Sequence, residues 1–263
     1  MNRILLMASL AQTPELTATP SGVPIWSATL AGERTVTAKD GSLKQIPFYV
    51  QVQRLGDFAE ALAARGWVGG DVVILEGQLD YSQWENESGK QNMIRAKLTG
   101  TARQVDGDFE LVTDAAGGTR LKGGRNEVSL IGNLSADAEL KHTDSGDAVV
   151  DLRLAVNETW KDKAGNAKEK VHWVTVTVWR ELAEQCQGFK KGDPVLIEGA
   201  LIDAPWTDKD GNKRRQQKVE ASFVARLKKG AGTGAPTREL VGAAAAPRSQ
   251  ASSTAAPETD LPF

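Results

Sequence analysis

The chain repeats itself, and that repeat limits the folds open to it. Asn2-Arg3-Ile4-Leu5-Leu6-Met7-Ala8-Ser9-Leu10 aligns with Asn126-Glu127-Val128-Ser129-Leu130-Ile131-Gly132-Asn133-Leu134, and at the same offset Glu15-Leu16 meets Glu139-Leu140 and Leu30-Ala31 meets Leu154-Ala155. Past a helical segment the offset shortens slightly, so that Gly70-Asp71 and Ile74-Leu75-Glu76-Gly77 meet Gly192-Asp193 and Leu196-Ile197-Glu198-Gly199. A plan written twice folds as two copies of one domain, and 263 residues suffice for a hydrophobic core in each. The expected division is 1–105 and 126–229 for the copies, with a connector at 106–125 and a tail at 230–263.

Within a copy the reading is strand, turn, strand, hairpin, strand, helix, strand, hairpin, strand. In the second copy strands are expected at Asn126 to Leu134, Ala148 to Asn157, His172 to Arg180, Pro194 to Leu201 and Lys218 to Ala225, with turns at Gly165-Asn166 and Asp210-Gly211. A short helix is expected from Glu181 to Phe189, closed by Lys190-Lys191-Gly192 with the lysines at its negative end. The first copy follows suit, with turns at Asp40-Gly41 and Ser88-Gly89 and a helix from Asp57 to Ala64. Five short strands with a helix after the third is the plan of an OB-fold, a partly open Greek-key barrel. The fold class is therefore all-β with one short helix per domain: two tandem OB-folds and a C-terminal tail. That tail, rich in Ala, Gly, Ser, Thr and Pro, is expected to be disordered. The connector is rich in Gly and Asp around Phe109, Leu111 and Val112; it reads either as a flexible linker or as a hairpin.

One strand carries most of the functional signal. In His172-Trp173-Val174-Thr175-Val176-Thr177-Val178-Trp179-Arg180 the two-residue period sends Val174, Val176 and Val178 to one face and Trp173, Thr175, Thr177 and Trp179 to the other. The valines suit a core. The tryptophan face is either a second buried face or an open platform. Trp160 near the end of the preceding strand and Trp206 at the last hairpin add two aromatics, and Lys161, Lys163, Lys168, Lys170, Arg180, Lys209, Lys213, Arg214 and Arg215 surround them. Stacking rings interleaved with cations suit a single nucleic-acid strand, whose bases expose π-faces that a duplex hides. The lysines also read as an ordinary solvated surface, because ten acids match ten bases in 1–105 and seventeen match seventeen in 126–229.

Composition excludes more than it proposes. A net charge of -2 places any polyanion site on a local patch. One cysteine, Cys186, cannot close a disulfide within the chain, which fits a reducing cytoplasm. No membrane span is expected. Two histidines and one cysteine supply neither a metal site nor a Cys/His nucleophile, so no catalytic residue, metal or cofactor is expected.

Taken in order, Asn126-Glu127-Val128 to Gly132-Asn133-Leu134, Asn157-Glu158-Thr159-Trp160-Lys161-Asp162-Lys163, His172-Trp173 to Trp179, Lys191-Gly192-Asp193, Ile197-Glu198-Gly199 and Trp206-Thr207-Asp208 resemble the bacterial single-stranded DNA-binding protein (SSB) family. The resemblance implies base stacking at Trp160, Trp173, Trp179 and Trp206. In copy one it implies the same at Tyr49 and Trp84, with Val36 and Leu55 at the other two positions and Phe48 and Trp26 assigned to the core. Asp203, Ala204 and Pro205 depart from the family's basic residues before the last tryptophan. Two copies in one chain resemble the tandem subtype, which implies a homodimer of four OB-folds, with the first strands and the connector as contacts between chains. The ending Glu258-Thr259-Asp260-Leu261-Pro262-Phe263 resembles the family's acidic tip, which implies docking on replication, recombination and repair proteins through Glu258, Asp260, Leu261, Pro262 and Phe263. The implied setting is the bacterial cytoplasm, associated with the nucleoid. An OB-fold adaptor that binds mainly proteins and an RNA-binding protein of the cold-shock kind are the rival readings.

Overall fold

The computed structural model describes residues 1–38, 40–86, 89–114, 117–162, 164–207 and 213–228, with 85–86, 89–91, 205–207 and 213–216 given by their backbones alone. The first copy comprises β1 (Asn2–Leu10), β2 (Glu15–Ala18), β3 (Pro24–Thr37), β4 (Leu43–Leu55), α1 (Asp57–Ala63), β5 (Val72–Asn86) and β6 (Gly89–Gln104). A hairpin of β7 (Leu111–Thr113) and β8 (Thr119–Leu121) follows. The second copy comprises β9 (Arg125–Leu134), β10 (Lys141–His142), β11 (Ala148–Lys161), β12 (Ala167–Trp179), α2 (Arg180–Gln185), β13 (Pro194–Thr207) and β14 (Lys213–Arg226).

Each copy closes into a barrel. In the first, the ring runs β1, β5, β6, β4, β3 and back to β1 at Ser9–Ala31 and Leu10–Leu30, with β4 and β6 parallel at Val52–Ala96. In the second it runs β9, β13, β14, β12, β11 and back to β9 at Leu134–Leu154, with β12 and β14 parallel at Val176–Val219. These are two OB-folds. Ile4, Leu6, Leu30, Val50, Leu75 and Leu79 fill one barrel, and Leu130, Leu152, Leu154, Val176, Ile197 and Leu201 fill the other.

The repeated residues do repeated jobs. Asn126 donates to Leu201 O at 2.8 Å and accepts from Leu201 N at 3.0 Å, and Asn2 makes the same pair with Leu79 at 2.8 and 2.9 Å. Asp71 and Asp193 each take a backbone N–H three residues upstream, from Val68 and Lys190, at 2.9 Å. Gly77 and Gly199 sit at the β-bulges of β5 and β13, where a Cβ would stand 2.2 Å from Lys97 O and 2.1 Å from Glu220 O.

The strands outrun their sequence limits. β11 and β12 continue to Lys161 and start at Ala167, and β13 and β14 run to Thr207 and start at Lys213, because paired arms project beyond the barrel as two-stranded hairpins. The second helix is shorter than expected: it stops at Gln185, and the chain turns through Cys186 so that Phe189 is buried. Lys190 and Lys191 therefore do not cap it. Instead the Lys190 ammonium lies 3.1 Å from Asp137, and the Lys191 N–H donates to Asp137 at 2.9 Å.

The first strands of the two copies meet within the chain. β1 and β9 pair antiparallel with each other, Ile4 opposite Val128 and Leu6 opposite Asn126, so the two barrels share one continuous sheet. Since β1 also pairs with β5 and β9 with β13, their hydrogen-bonding edges are paired inside this chain, which leaves the outer face of these strands as the part that another chain could meet. Side chains lock the same junction. Arg34 of β3 donates to Glu220 of β14 at 2.5 Å, and Lys170 of β12 to Asp80 of β5 at 2.6 Å. His172, fully buried, accepts the Tyr81 N–H at Nδ1 (3.1 Å), so its proton is on Nε2 and is donated to Glu158 (2.8 Å), whose other oxygen takes Gln78 (2.7 Å).

Candidate nucleic-acid interface

The side chains of β12 divide as a pleated strand requires. Val174, Val176 and Val178 are buried, while Trp173 and Trp179 are 46% and 38% exposed, so the face is open at both ends. It is not open throughout. Thr177 is buried, because β14 lies alongside at Val219 and Glu220, and its hydroxyl donates to Asp151 at 2.6 Å. The same Asp151 oxygen is 3.7 Å from the Lys218 ammonium. The two rings thus stand about 20 Å apart along the strand, over a floor that is already hydrogen-bonded.

Trp160 does not join them. Opposite residues across a ladder share a face, and Trp160 stands opposite Lys168, in the row of Glu158–Lys170 and Val156–His172, whereas Trp173 stands opposite Ala155. Trp160, 44% exposed, therefore continues the barrel's inner row out along the hairpin, on the side turned toward β5 of barrel one. Arg153, which the sequence reading passed over, is exposed on the outer face opposite Thr175, between Trp173 and Trp179 and nearer the first. Reading β11 at the strand period would have found it, since Asp151, Arg153 and Ala155 alternate with Leu152 and Leu154.

Each cation has its own setting. Lys161 is exposed; Lys168 lies 3.7 Å from Asp162, Lys170 is on Asp80, and Arg180 is 3.6 Å from Asp147. Asp162 is committed to its turn: the Asn166 backbone N–H, then the Asn166 side chain, hold its carboxyl below the usual range. Arg180 follows Trp179 with a left-handed φ of 56°, at the position where copy one has Gly56 with φ 78°. Lys163 and Lys209 lie outside the described residues, as does the tip Glu258, Asp260, Leu261, Pro262 and Phe263. Trp206, Lys213, Arg214 and Arg215 are given by their backbones, with Trp206 opposite Arg214 and Thr207 opposite Lys213.

Barrel one differs at the matching places. Trp26 is buried and meets Trp67 edge-on with centroids 6.2 Å apart, and Phe48 is buried beside Gly32. Trp84 is 41% exposed on β5. Tyr49 is 37% exposed, but its hydroxyl lies 3.2 Å from Asp114 and accepts from Arg120 at 3.3 Å. Arg120 also holds Glu33 at 3.0 Å, and β8 runs parallel to β3 at Gly32–Leu121. The hairpin between the barrels is thereby fastened to the aromatic face of barrel one. Among the described residues no group of His, Cys, Asp and Glu could hold a metal ion, and no helix is long and apolar enough to cross a membrane.

Two closed Greek-key barrels sharing a sheet, with exposed indoles on the third long strand of one, define a tandem OB-fold protein with an aromatic face. The chain belongs to the single-strand binding protein family, which it matches over residues 1–102 and 125–227. It is 44% identical over 260 residues to the single-stranded DNA-binding protein of Deinococcus radiodurans, an alignment covering 98% of this chain and 86% of that protein. It is 34% identical over 267 residues to that of Thermus aquaticus, covering 100% of this chain and 98% of the relative. The crystal structure of the wild-type Thermus aquaticus protein matches with a TM-score of 0.68 at 29% identity, over 90% of this chain and 98% of that one.

Proposed function

We propose that this protein binds single-stranded DNA without sequence preference, covers exposed strands during replication, recombination and repair, and performs no catalysis. The observation that carries the reading is Trp173 and Trp179: two indoles left exposed on a strand whose other face is buried from His172 to Val178. Exposed indoles on a rigid sheet lose little entropy when a base stacks on them. In this reading Trp160, Trp206, Trp84 and Tyr49 extend the stacking surface. Lys161, Lys163, Lys168, Lys170, Arg180, Lys209, Lys213, Arg214 and Arg215 follow the phosphates. For Lys168, Lys170 and Arg180 this means leaving Asp162, Asp80 and Asp147, so that the backbone exchanges one set of ion pairs for another. Titration with an oligonucleotide is expected to quench tryptophan fluorescence, and the affinity to fall with salt at about -0.7 in log–log slope per phosphate neutralised. Unquenched fluorescence, or equal affinity for duplex, overturns the reading.

Two copies of the chain would bring together four OB-folds. What supports this is the outer face of the shared sheet: Ile131 and Phe223 are exposed, and Leu5, Met7, Ile74 and Leu196 only half-buried, on strands whose edges are already paired. Light scattering is expected to give twice the 28.2 kDa chain mass; a monomer would refute it. The tip Glu258, Asp260, Leu261, Pro262 and Phe263 recruits partner proteins through its acids and apolar end, and its deletion is expected to abolish their capture while leaving DNA affinity in place. The setting is the cytoplasm, on the nucleoid.

A further inference from the structure

Next to Tyr49, barrel one has a feature that barrel two lacks. The outer face of β3 and β4 continues from the Ala31–Tyr49 pair to Thr29–Gln51 and Ser27–Gln53. The segment from Gln12 to Glu15 runs along the edge of β3, with Glu15 opposite Ser27. Between them lies a polar trough of about 200 Å³ lined by Gln12, Glu15, Ser27, Thr29, Gln51 and Gln53. In barrel two the matching pairs are Arg153–Thr175 and Asp151–Thr177, where Thr177 is buried on Asp151 and Lys218 neutralises it. The amide lining belongs to copy one alone.

We infer that this trough takes the edge of one unstacked nucleobase, and that it prefers bases carrying an exocyclic amine. No lining residue is basic, so the trough is not built for phosphate. Its groups are those of base-edge recognition: primary amides that donate and accept together, hydroxyls that do either, and one carboxylate that only accepts. Gln53 gives one N–H to Ser27 at 3.3 Å and retains its carbonyl and second N–H. An amine of cytosine or adenine donates to Glu15 while the neighbouring ring nitrogen accepts from an amide. Thymine has no exocyclic amine, and its one edge donor, N3–H, is flanked by two carbonyl oxygens that would crowd the carboxylate. Barrel two would stack any base, and barrel one would add a compositional preference beside Tyr49.

This rests on the proposed binding of single-stranded DNA, and the test separates the two. Full-length wild type and a Glu15→Ala/Gln53→Ala variant are titrated with oligo-dC and oligo-dT of equal length, followed by tryptophan fluorescence. The variant is expected to lose about fivefold or more in affinity for dC and to hold dT within about twofold. Equal loss on both, or none on dC, overturns the trough. Wild type quenched by neither oligonucleotide overturns DNA binding itself, and the trough with it. Independently of any variant's folding, an oligonucleotide bearing 5-iododeoxycytidine is expected to photo-crosslink to wild-type peptides spanning 12–15 or 51–53. Crosslinks confined to barrel two would refute the site.

Discussion

Gly199 shows how little room a single position has. A methyl there would stand 2.1 Å from Glu220 O, a backbone atom that cannot step aside without breaking the β13–β14 ladder. Gly199→Ala is expected to lower the unfolding free energy by about 1–3 kcal/mol, read from a shifted urea midpoint at constant slope. Asn126 is buried and serves both backbone groups of Leu201. Asn126→Ala leaves a buried N–H and C=O unmade and is expected to cost about 1–3 kcal/mol, more than Asn2→Ala, because Asn2 is only half-buried. Both residues stood out as repeats, but nothing local in the sequence says that an Asn closes a strand or that a Gly makes room for a carbonyl. Cys186 carries a further prediction: burial pushes its thiol up to about 11. Iodoacetamide near pH 8 is therefore expected to label unfolded chains only, which mass spectrometry after mild denaturant pulses would show.

At the scale of elements, β12 and the β7–β8 hairpin behave differently from a simple alternation. Trp173, in the middle of β12, and Trp179, at its end, face outward. Replacing either with Ala is expected to cost about 1–3 kcal/mol of single-strand affinity and to leave the melting temperature nearly unchanged, since neither ring is in the core. Titration and thermal denaturation of the same samples separate the two effects. The β7–β8 hairpin hangs on barrel one through Tyr49, Asp114, Arg120 and Glu33. Tyr49→Phe keeps a ring for stacking and removes the hydroxyl, at an expected cost of about 0.5–1.5 kcal/mol. Hydrogen exchange at Thr119, Arg120 and Leu121 is expected to quicken while that of β4 stays slow. Unchanged exchange there would mean that the backbone pairing alone holds the hairpin.

At the scale of the molecule, the junction between barrels contains a carboxylate that is sensitive to acid. Burial works to raise the Glu158 carboxyl, but hydrogen bonds from Gln78 and His172 and the charge of Lys97 outweigh it and hold it below the usual glutamate range. A depressed carboxylate contributes stability that is present above the unfolded pKa and lost as pH falls through the folded one. Thermal stability is therefore expected to decline below about pH 4.5 through the Glu158–His172–Tyr81 chain. Glu158→Gln is expected to flatten that acid limb, checked by melting curves from pH 3 to 7. An acid limb equally steep in the variant would assign it to other carboxylates.

The sequence by itself determined the two copies, the order of their long strands and helices and the valine face of β12, because a repeat and a two-residue period are local properties of the chain; the burial of Trp26 and Phe48 was implied by the family resemblance. It did not determine where the strands stop being barrel and become projecting arms, and for that reason Trp160 was grouped with Trp173 although the pleat puts them on opposite faces. Nor could it show that β14 covers Thr177, that the hairpin between the barrels takes the Tyr49 hydroxyl, or that β1 and β9 complete each other's ladders within one chain. Each of these joins residues at least 40 positions apart, except for Trp160. Sheet edges and crossing hairpins are settled only when barrels close and pack, since an unpaired buried backbone group must find a partner wherever the tertiary structure offers one.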